Sequence, residues 1–533
     1  VSFRGQPAIL ASSRPGALKD GCDKPRRDPP AQPIVSDAHL VNPELRGFIR
    51  VVIDQSTGHP DHQMPRHSDD HLMLGRGQKA RGMFRDDRPV ENTRSHMRQN
   101  RSICWTQKAN GDCLCHSPSQ TVLHMKLQDL DIIVTAPPAP GWGGRYWILV
   151  KLTTDTGIVG WGECYASSVG PDAMRAVIED VFARHMQGEN PENIELMFRR
   201  AYSSGFTQRP DLTVMGAFSG LEIACWDILG KDRDRPVWAL LGGKMNERIR
   251  AYSYLYPLPH HPLPEFWVSP EMAAESAIDL VERGYTAVKF DPAGPYTIRG
   301  GHQPSLSDIS RSVAFCKAIR EAVGDKADLL FGTHGQFNTA GAIRLGQAIE
   351  PYLPLWYEEP IPPDNLLDFA EVARAVRIPL ATGERLTTKT EFAALLRTGG
   401  AGILQPALGR AGGIWEMKKL AAMAEAFNAQ MAPHLYAGPV EWAANVHLAT
   451  SIPNLLIAET IETPFHNALI KNSIRIENGY IIPPEMSGLG IDVDEALARA
   501  HPFKGTGLHL EMQEAPCSYQ ESNIFEGGAP MTD

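Results

Sequence analysis

The sequence reads as an α/β protein in which an α+β unit precedes a parallel βα barrel. Three observations predict this. After Arg250, apolar runs of strand length ("TAVKF", "DLLFG", "PLWYE", "IPLAT", "GILQP", "AQMAP" and "NLLIA") alternate with amphipathic helical stretches such as "SVAFCKAIREAV" and "KTEFAALLRT". Strand ends fall at His334, Glu358, Glu384, Ala407, His434 and Glu459, which are 24, 26, 23, 27 and 25 residues apart. That period is one strand plus one helix, the beat of a barrel. Finally, no Gly-rich phosphate-binding turn follows the first strand, as the rival open doubly wound sheet would require.

Each part of the chain bears this out in turn. Its 533 residues suffice for two or more domains with their own cores. A hydrophobic content of 43% and a charged content of 21% are those of an ordinary globular protein. Residues 1–124 have a different texture, with 18 Lys+Arg against 13 Asp+Glu and Pro- and Arg-rich stretches that follow neither helical nor strand periodicity. They are expected to be disordered or a non-native extension, with the ordered chain starting at Met125. Within them, Cys113, Cys115 and His116 lack a second ligand pair at zinc-site spacing and read as an accidental cluster. From Met125, "KLQDLDIIV", "YWILVKLTT" and "IVGWGECYA" read as three strands, with helical patterns following to Arg250.

A formal charge of −10 argues against a nucleic-acid or anionic-membrane partner, which would need a basic face. No run of about 18 uninterrupted apolar residues suggests a membrane span. Eight cysteines are too sparse for a disulfide scaffold, so a reducing, cytoplasmic setting is expected.

A barrel carries its functional groups at the C-terminal ends of its strands. Here Lys289 and Asp291 close "AVKFD", His334 follows "LLFG", Glu358 and Glu359 close "LWY", Glu384 closes "PLATG", Gln405 follows "IL", His434 follows "MAP" and Glu459 follows "LLIA". Carboxylates on adjacent strand ends suit a hard divalent cation such as Mg²⁺, and Glu358 with Glu384 is the natural pair. His334 and His434, several strands apart, are poised to move protons from two sides of the barrel mouth. Together these groups suit abstraction of a proton α to a carboxylate.

The stretches "IACWDILGKDRDRPVWALLGGK", "WYEEP", "TGERL", "GRAGGIWEMKKLAAMAEAF" and "APHLYAGPVEWAANVHLA" resemble the mandelate racemase group of the enolase superfamily, and within it the galactonate- and mannonate-type dehydratases. The resemblance covers residues 125 to 510. It implies an α+β capping domain, a (β/α)7β barrel of the TIM type and a C-terminal segment returning to the cap. The corresponding boundaries are 125–250, 251–483 and 484–533. It also implies Mg²⁺, an enediolate intermediate, a small-molecule sugar-acid substrate and a homo-oligomer. Carried over by position, Glu358 and Glu384 match metal ligands and His434 matches the base. His334 matches the acid that protonates the departing hydroxyl. Lys289 and Glu459 match groups near the substrate carboxylate. In the cap, Trp142 and Arg145 are expected substrate contacts.

Two positions depart from the family pattern. Gly332 stands where the first metal-binding Asp is expected, and Ala407 where an Asp orients the base histidine. Asp291, on the neighbouring strand end, is the expected substitute metal ligand. The expected activity is dehydration of an aldonate-type acid to a 2-keto-3-deoxy acid. The alternatives are racemisation, epimerisation or cycloisomerisation of a hydroxy or sugar acid, or a degenerate, non-catalytic ligand-binding barrel.

Overall fold

The computed structural model describes residues 125–514, except 140, 207, 210, 295, 473 and 513. The expectations for residues 1–124, including the Cys113, Cys115 and His116 cluster, lie outside the described residues.

Three strands, β1 (Leu127–Thr135), β2 (Trp147–Thr154) and β3 (Val159–Cys164), form an antiparallel meander. Three helices follow: α1 (Pro171–His185), α2 (Ile194–Ser203) and α3 (Leu212–Asp232). α3 is long and apolar enough to span a membrane by length and composition, yet most of it is buried against β3. Its backbone lies so close that a Cβ on Gly162 would collide with the Gly220 carbonyl. Only glycine permits that approach.

The barrel strands are β4 (Ile249–Tyr254), β5 (Ala287–Phe290), β6 (Asp328–Phe331), β7 (Trp356–Glu358), β8 (Leu380–Thr382), β9 (Ile403–Leu404), β10 (Gln430–Met431) and β11 (Ala458–Thr460). Neighbours pair in parallel from β4 through β10, and β11 pairs in parallel with β4. A bridge between Met431 and Leu455 joins β10 to the segment entering β11, so the ring closes. A helix lies between each successive pair of strands. This is the (β/α)7β order. The barrel interior holds one apolar side chain from each strand or its flank, namely Tyr252, Ala287, Leu330, Trp356, Ala381, Ile403, Ala432 and Ile457. Tyr252 and Trp356 meet edge-on at 5.4 Å, and aliphatic residues and alanines fill the rest, so the interior is packed without a pore.

Beyond the barrel, the C-terminal segment runs back along the cap. Ala136 N donates to His501 O at 2.7 Å, Phe503 N donates to Val134 O at 3.2 Å, and Lys151 pairs with Glu495 at 2.7 Å. Asp328 starts β6 and pairs with Arg250 at 2.7 Å, at the barrel end opposite the site.

Candidate active site

The C-terminal ends of the barrel strands, the cap and the C-terminal segment enclose a cavity of about 300 Å³. That is the lower end of the range for small-molecule sites. Lys289, His334, Glu384, His434 and Glu459, five of the residues expected from sequence, line it, as does Trp142 from the cap. Trp142 stacks on Tyr256 with centroids 4.6 Å apart and meets Trp267 edge-on at 6.1 Å.

The strands set each group in place. Glu384 enters through Gly383, whose φ of +139° and contact with the Phe392 ring exclude a side chain. His334 follows β6 and is fixed from behind, its Nδ1 2.7 Å from Asp291 Oδ2. The Tyr296 hydroxyl donates to the same carboxylate oxygen, and Ala293 N donates to the other at 3.1 Å. Tyr296 comes from the long loop after β5, which Gln336 anchors by accepting from Thr297 N at 2.9 Å. The glutamine closing "GTHGQ" thus holds the loop that covers His334.

Lys289 is 3% exposed and lies 2.6 Å from Glu358 Oε1 and 3.6 Å from Glu459 Oε1. Gln405 Nε2 donates to the other Glu358 oxygen at 2.8 Å. His434 Nε2 lies 3.3 Å from Glu384 Oε2. Leu435 N donates to Glu459 Oε2 at 2.8 Å.

These surroundings separate the protonation tendencies. Burial pushes His434 well below the ordinary histidine value, and the nearby Glu384 charge does not overcome it. Burial also pushes His334 down, but the hydrogen bond and charge of Asp291 outweigh it and hold the ring above its usual value. Burial raises Glu384, but His434, His334, Arg385 and Arg410 together draw it below the carboxylate range. Burial raises Glu459, more than Lys289 lowers it. Lys289 is itself held well above its ordinary value because Glu358 and Glu459 outweigh its desolvation.

Three of the expected site residues do not line the cavity. Arg145 does not line the cavity; it pairs with Glu511 at 2.7 Å and ties the cap to the C-terminal segment. Asp291 has its oxygens engaged by His334, Tyr296 and Ala293 N. Glu358 is likewise absent from the cavity lining, with Lys289 on one oxygen and Gln405 on the other. Among the described residues, the group whose three ligand atoms all lie within 4.8 Å of one another is His260, His261 and Glu275, outside the cavity.

Sequence reasoning gave no role to Arg385, Arg410 or Tyr165, though both arginines stand in quoted motifs. Arg410 Nη1 donates to Glu384 O at 2.7 Å, with its guanidinium 4.1 Å over the Tyr165 ring. Arg385 pairs with Glu359 at 3.2 Å. Each arginine reaches back to the end of the preceding strand, and only the Tyr165 contact comes from the distant cap, so no pattern within one strand announces them.

Histidines, carboxylates and fixed cations thus line one cavity at the mouth of a parallel βα barrel. Residues 143–242 match the mandelate racemase/muconate lactonizing enzyme N-terminal domain, and residues 271–497 match the enolase C-terminal domain-like family. The chain is 36% identical over 380 residues to a D-gluconate/D-galactonate dehydratase of Picrophilus torridus, covering 69% of this chain and 92% of that protein. It is 34% identical over 363 residues to a D-galactonate dehydratase of Ralstonia nicotianae, covering 66% and 90%. The crystal structure of a mandelate racemase/muconate lactonizing enzyme-like protein from Roseovarius sp. TM1035 shares 82% identity at a TM-score of 0.73, covering 74% of this chain and all of that one. The chain belongs to the mandelate racemase group of the enolase superfamily.

Enzymes of this superfamily typically bind Mg²⁺. The donor set here does not fit that ion well. Mg²⁺ is held by oxygen ligands in a near-octahedral shell. Of the three carboxylates expected to hold it, only Glu384 faces the cavity.

Proposed function

We propose that this chain is a hydro-lyase that dehydrates a sugar acid of the aldonate type to a 2-keto-3-deoxy acid. The observation that carries this reading is the pair of histidines lining one cavity from the ends of β6 and β10, His434 pushed down by burial and His334 held up by Asp291. Two titratable groups driven apart by their environments are the mark of an assigned base and acid. The relatives named as D-galactonate and D-gluconate dehydratases support the same substrate class.

The reaction then runs as follows. The substrate carboxylate lies toward Lys289 and Glu459. Neutral His434 takes the α-proton at Nε2, where Glu384 Oε2, 3.3 Å away, steadies the imidazolium that forms. The electron pair of the C–H bond moves onto the carboxylate, giving an enediolate. It returns as the bond from the β-carbon to its hydroxyl breaks, and His334 supplies the proton that lets the hydroxyl leave as water. The enol that remains ketonises to the 2-keto-3-deoxy acid. Asp291 keeps His334 charged until that step. Magnesium enters no part of this scheme.

A panel of aldonic acids, assayed for 2-keto acid formation, tests the reading. His334→Asn is expected to lower dehydration about 10²- to 10⁴-fold while α-proton exchange with D₂O continues. His434→Asn is expected to lose both. Equal loss of exchange and dehydration in His334→Asn would reverse the assignment.

A further inference from the structure

We propose that in this chain the Lys289 ammonium replaces the divalent cation as the positive charge facing the substrate carboxylate. Three features of the Lys289 side chain and its surroundings point there. At position 332 a Cβ would sit 3.4 Å from Lys289 Cε and 3.5 Å from Asp291 Cβ, so the lysine stem runs through the space beside Gly332. A Cβ there makes ordinary contact with both, so an acidic side chain at 332 would lie against the lysine stem. The lysine reaches across to Glu358 at 2.6 Å, and Gln405 takes the second oxygen of that carboxylate at 2.8 Å. Lys289 faces the cavity whereas Glu358 does not.

The charge arrangement is consistent with this. A divalent ion held by Glu358 would have to displace an ammonium already paired with it and then sit against that like charge in a water-poor site. The other carboxylate of the expected metal pair, Glu384, has neutral His434 at 3.3 Å and Arg385 at 4.0 Å. A fixed cation thus stands near each carboxylate that the family pattern gives to a metal, Lys289 at Glu358 and Arg385 at Glu384. An ammonium donates hydrogen bonds to a carboxylate and stabilises the negative charge that grows there as the α-proton leaves. Positive charge held in place before the reaction needs no ion to be recruited. The role of Lys289 in turnover rests on the dehydratase reading; the metal-binding consequence does not.

The full chain, stripped with EDTA, is titrated with Mn²⁺ and followed by electron paramagnetic resonance. Glu384→Gln serves as the control for binding elsewhere, including at His260, His261 and Glu275. Wild type and Glu384→Gln are expected to titrate identically, whereas Gly332→Asp combined with Lys289→Met is expected to gain a Mn²⁺ site that wild type lacks. The stripped wild type is expected to keep its turnover, and added Mg²⁺ to change it less than twofold. A wild-type Mn²⁺ site lost in Glu384→Gln overturns the proposal, as does turnover that vanishes with EDTA and returns with Mg²⁺. So does failure of a folded double variant to gain a site. Because Lys289→Met leaves Glu358 buried without its partner, the wild-type titration decides the matter even if that variant does not fold. If no aldonic acid is turned over while the Mn²⁺ results are as expected, the dehydratase reading fails and the assignment of the Lys289 site stands.

Discussion

Ala407 and His434 face each other in a parallel bridge at the ends of β9 and β10. Alanine offers His434 no acceptor, and Nδ1 is buried without a hydrogen-bond partner. The ring therefore has no fixed tautomer from that side, and burial, aided by the charges of Arg410 and Lys289, outweighs Glu384 and keeps it a weak base. Ala407→Asp supplies the acceptor. It is expected to raise the His434 pKa and to speed α-proton exchange. A base works only when deprotonated, so the acid limb of the exchange–pH profile moves to higher pH. His334 gives the opposite limb. An acid works only when protonated, so activity falls as pH rises through a pKa that Asp291 holds above the ordinary value. Asp291→Asn removes that support, and the basic limb of the dehydration profile moves to lower pH. Both shifts are read from kcat/KM against pH. The histidines were legible in the sequence because they end strands; the empty side of His434 was legible only as an alanine out of pattern.

At the scale of elements, the cap is joined to the barrel through helix ends. Glu222 on α3 accepts from Ile414 N at 2.8 Å and Trp415 N at 2.9 Å, at the start of the barrel helix Gly413–Ala426. Glu163 at the end of β3 accepts from Gly438 N at 2.6 Å and Glu441 N at 3.1 Å, at the start of the helix Pro439–Ser451. The first turn of a helix leaves backbone donors without partners and carries a partial positive charge, so a carboxylate from another domain suits it. Glu222→Ala strands two buried N–H groups. It is expected to destabilise the protein by about 1–3 kcal/mol, measured by denaturant unfolding, with the cap loosened first in hydrogen exchange. Neither glutamate could be singled out from sequence, because each caps a helix more than 190 residues (Glu222) or 270 residues (Glu163) further along.

Across the whole molecule, buried neutral histidines make stability fall on the acid side. His447 accepts from Trp238 N at 3.1 Å through Nδ1, and burial lowers its pKa to about 4. Burial lowers His466 to about 4 as well, against the support of the Ala437 carbonyl near its ring. The unfolded chain protonates both near 6.5, so their contribution falls as pH drops from about 6.5 to about 4 and then levels off. Each is worth on the order of 3 kcal/mol across that window. His447→Asn, which titrates nothing, is expected to cost stability at pH 7 by an amount that shrinks as pH falls through the same window. Unfolding free energies of the two proteins at pH 7 and pH 4.5 check the sign.

The 25-residue beat by itself determined the barrel, because a strand and a helix of fixed rise must repeat at that interval to close a ring. It also determined which residues reach the rim, since Lys289, His334, Glu384, His434 and Glu459 each follow the last apolar residues of a strand or close them. What those residues touch was decided only in three dimensions. Asp291 stands behind His334 rather than beside Glu358, and Arg145 binds Glu511 rather than facing the cavity. Glu358 meets Lys289 from a strand two places away in the ring. Periodicity fixes where along its own strand a side chain emerges. Which partner neutralises it depends on the stagger between strands and on what the neighbouring position leaves open, and at Gly332 that space lies beside the Lys289 stem.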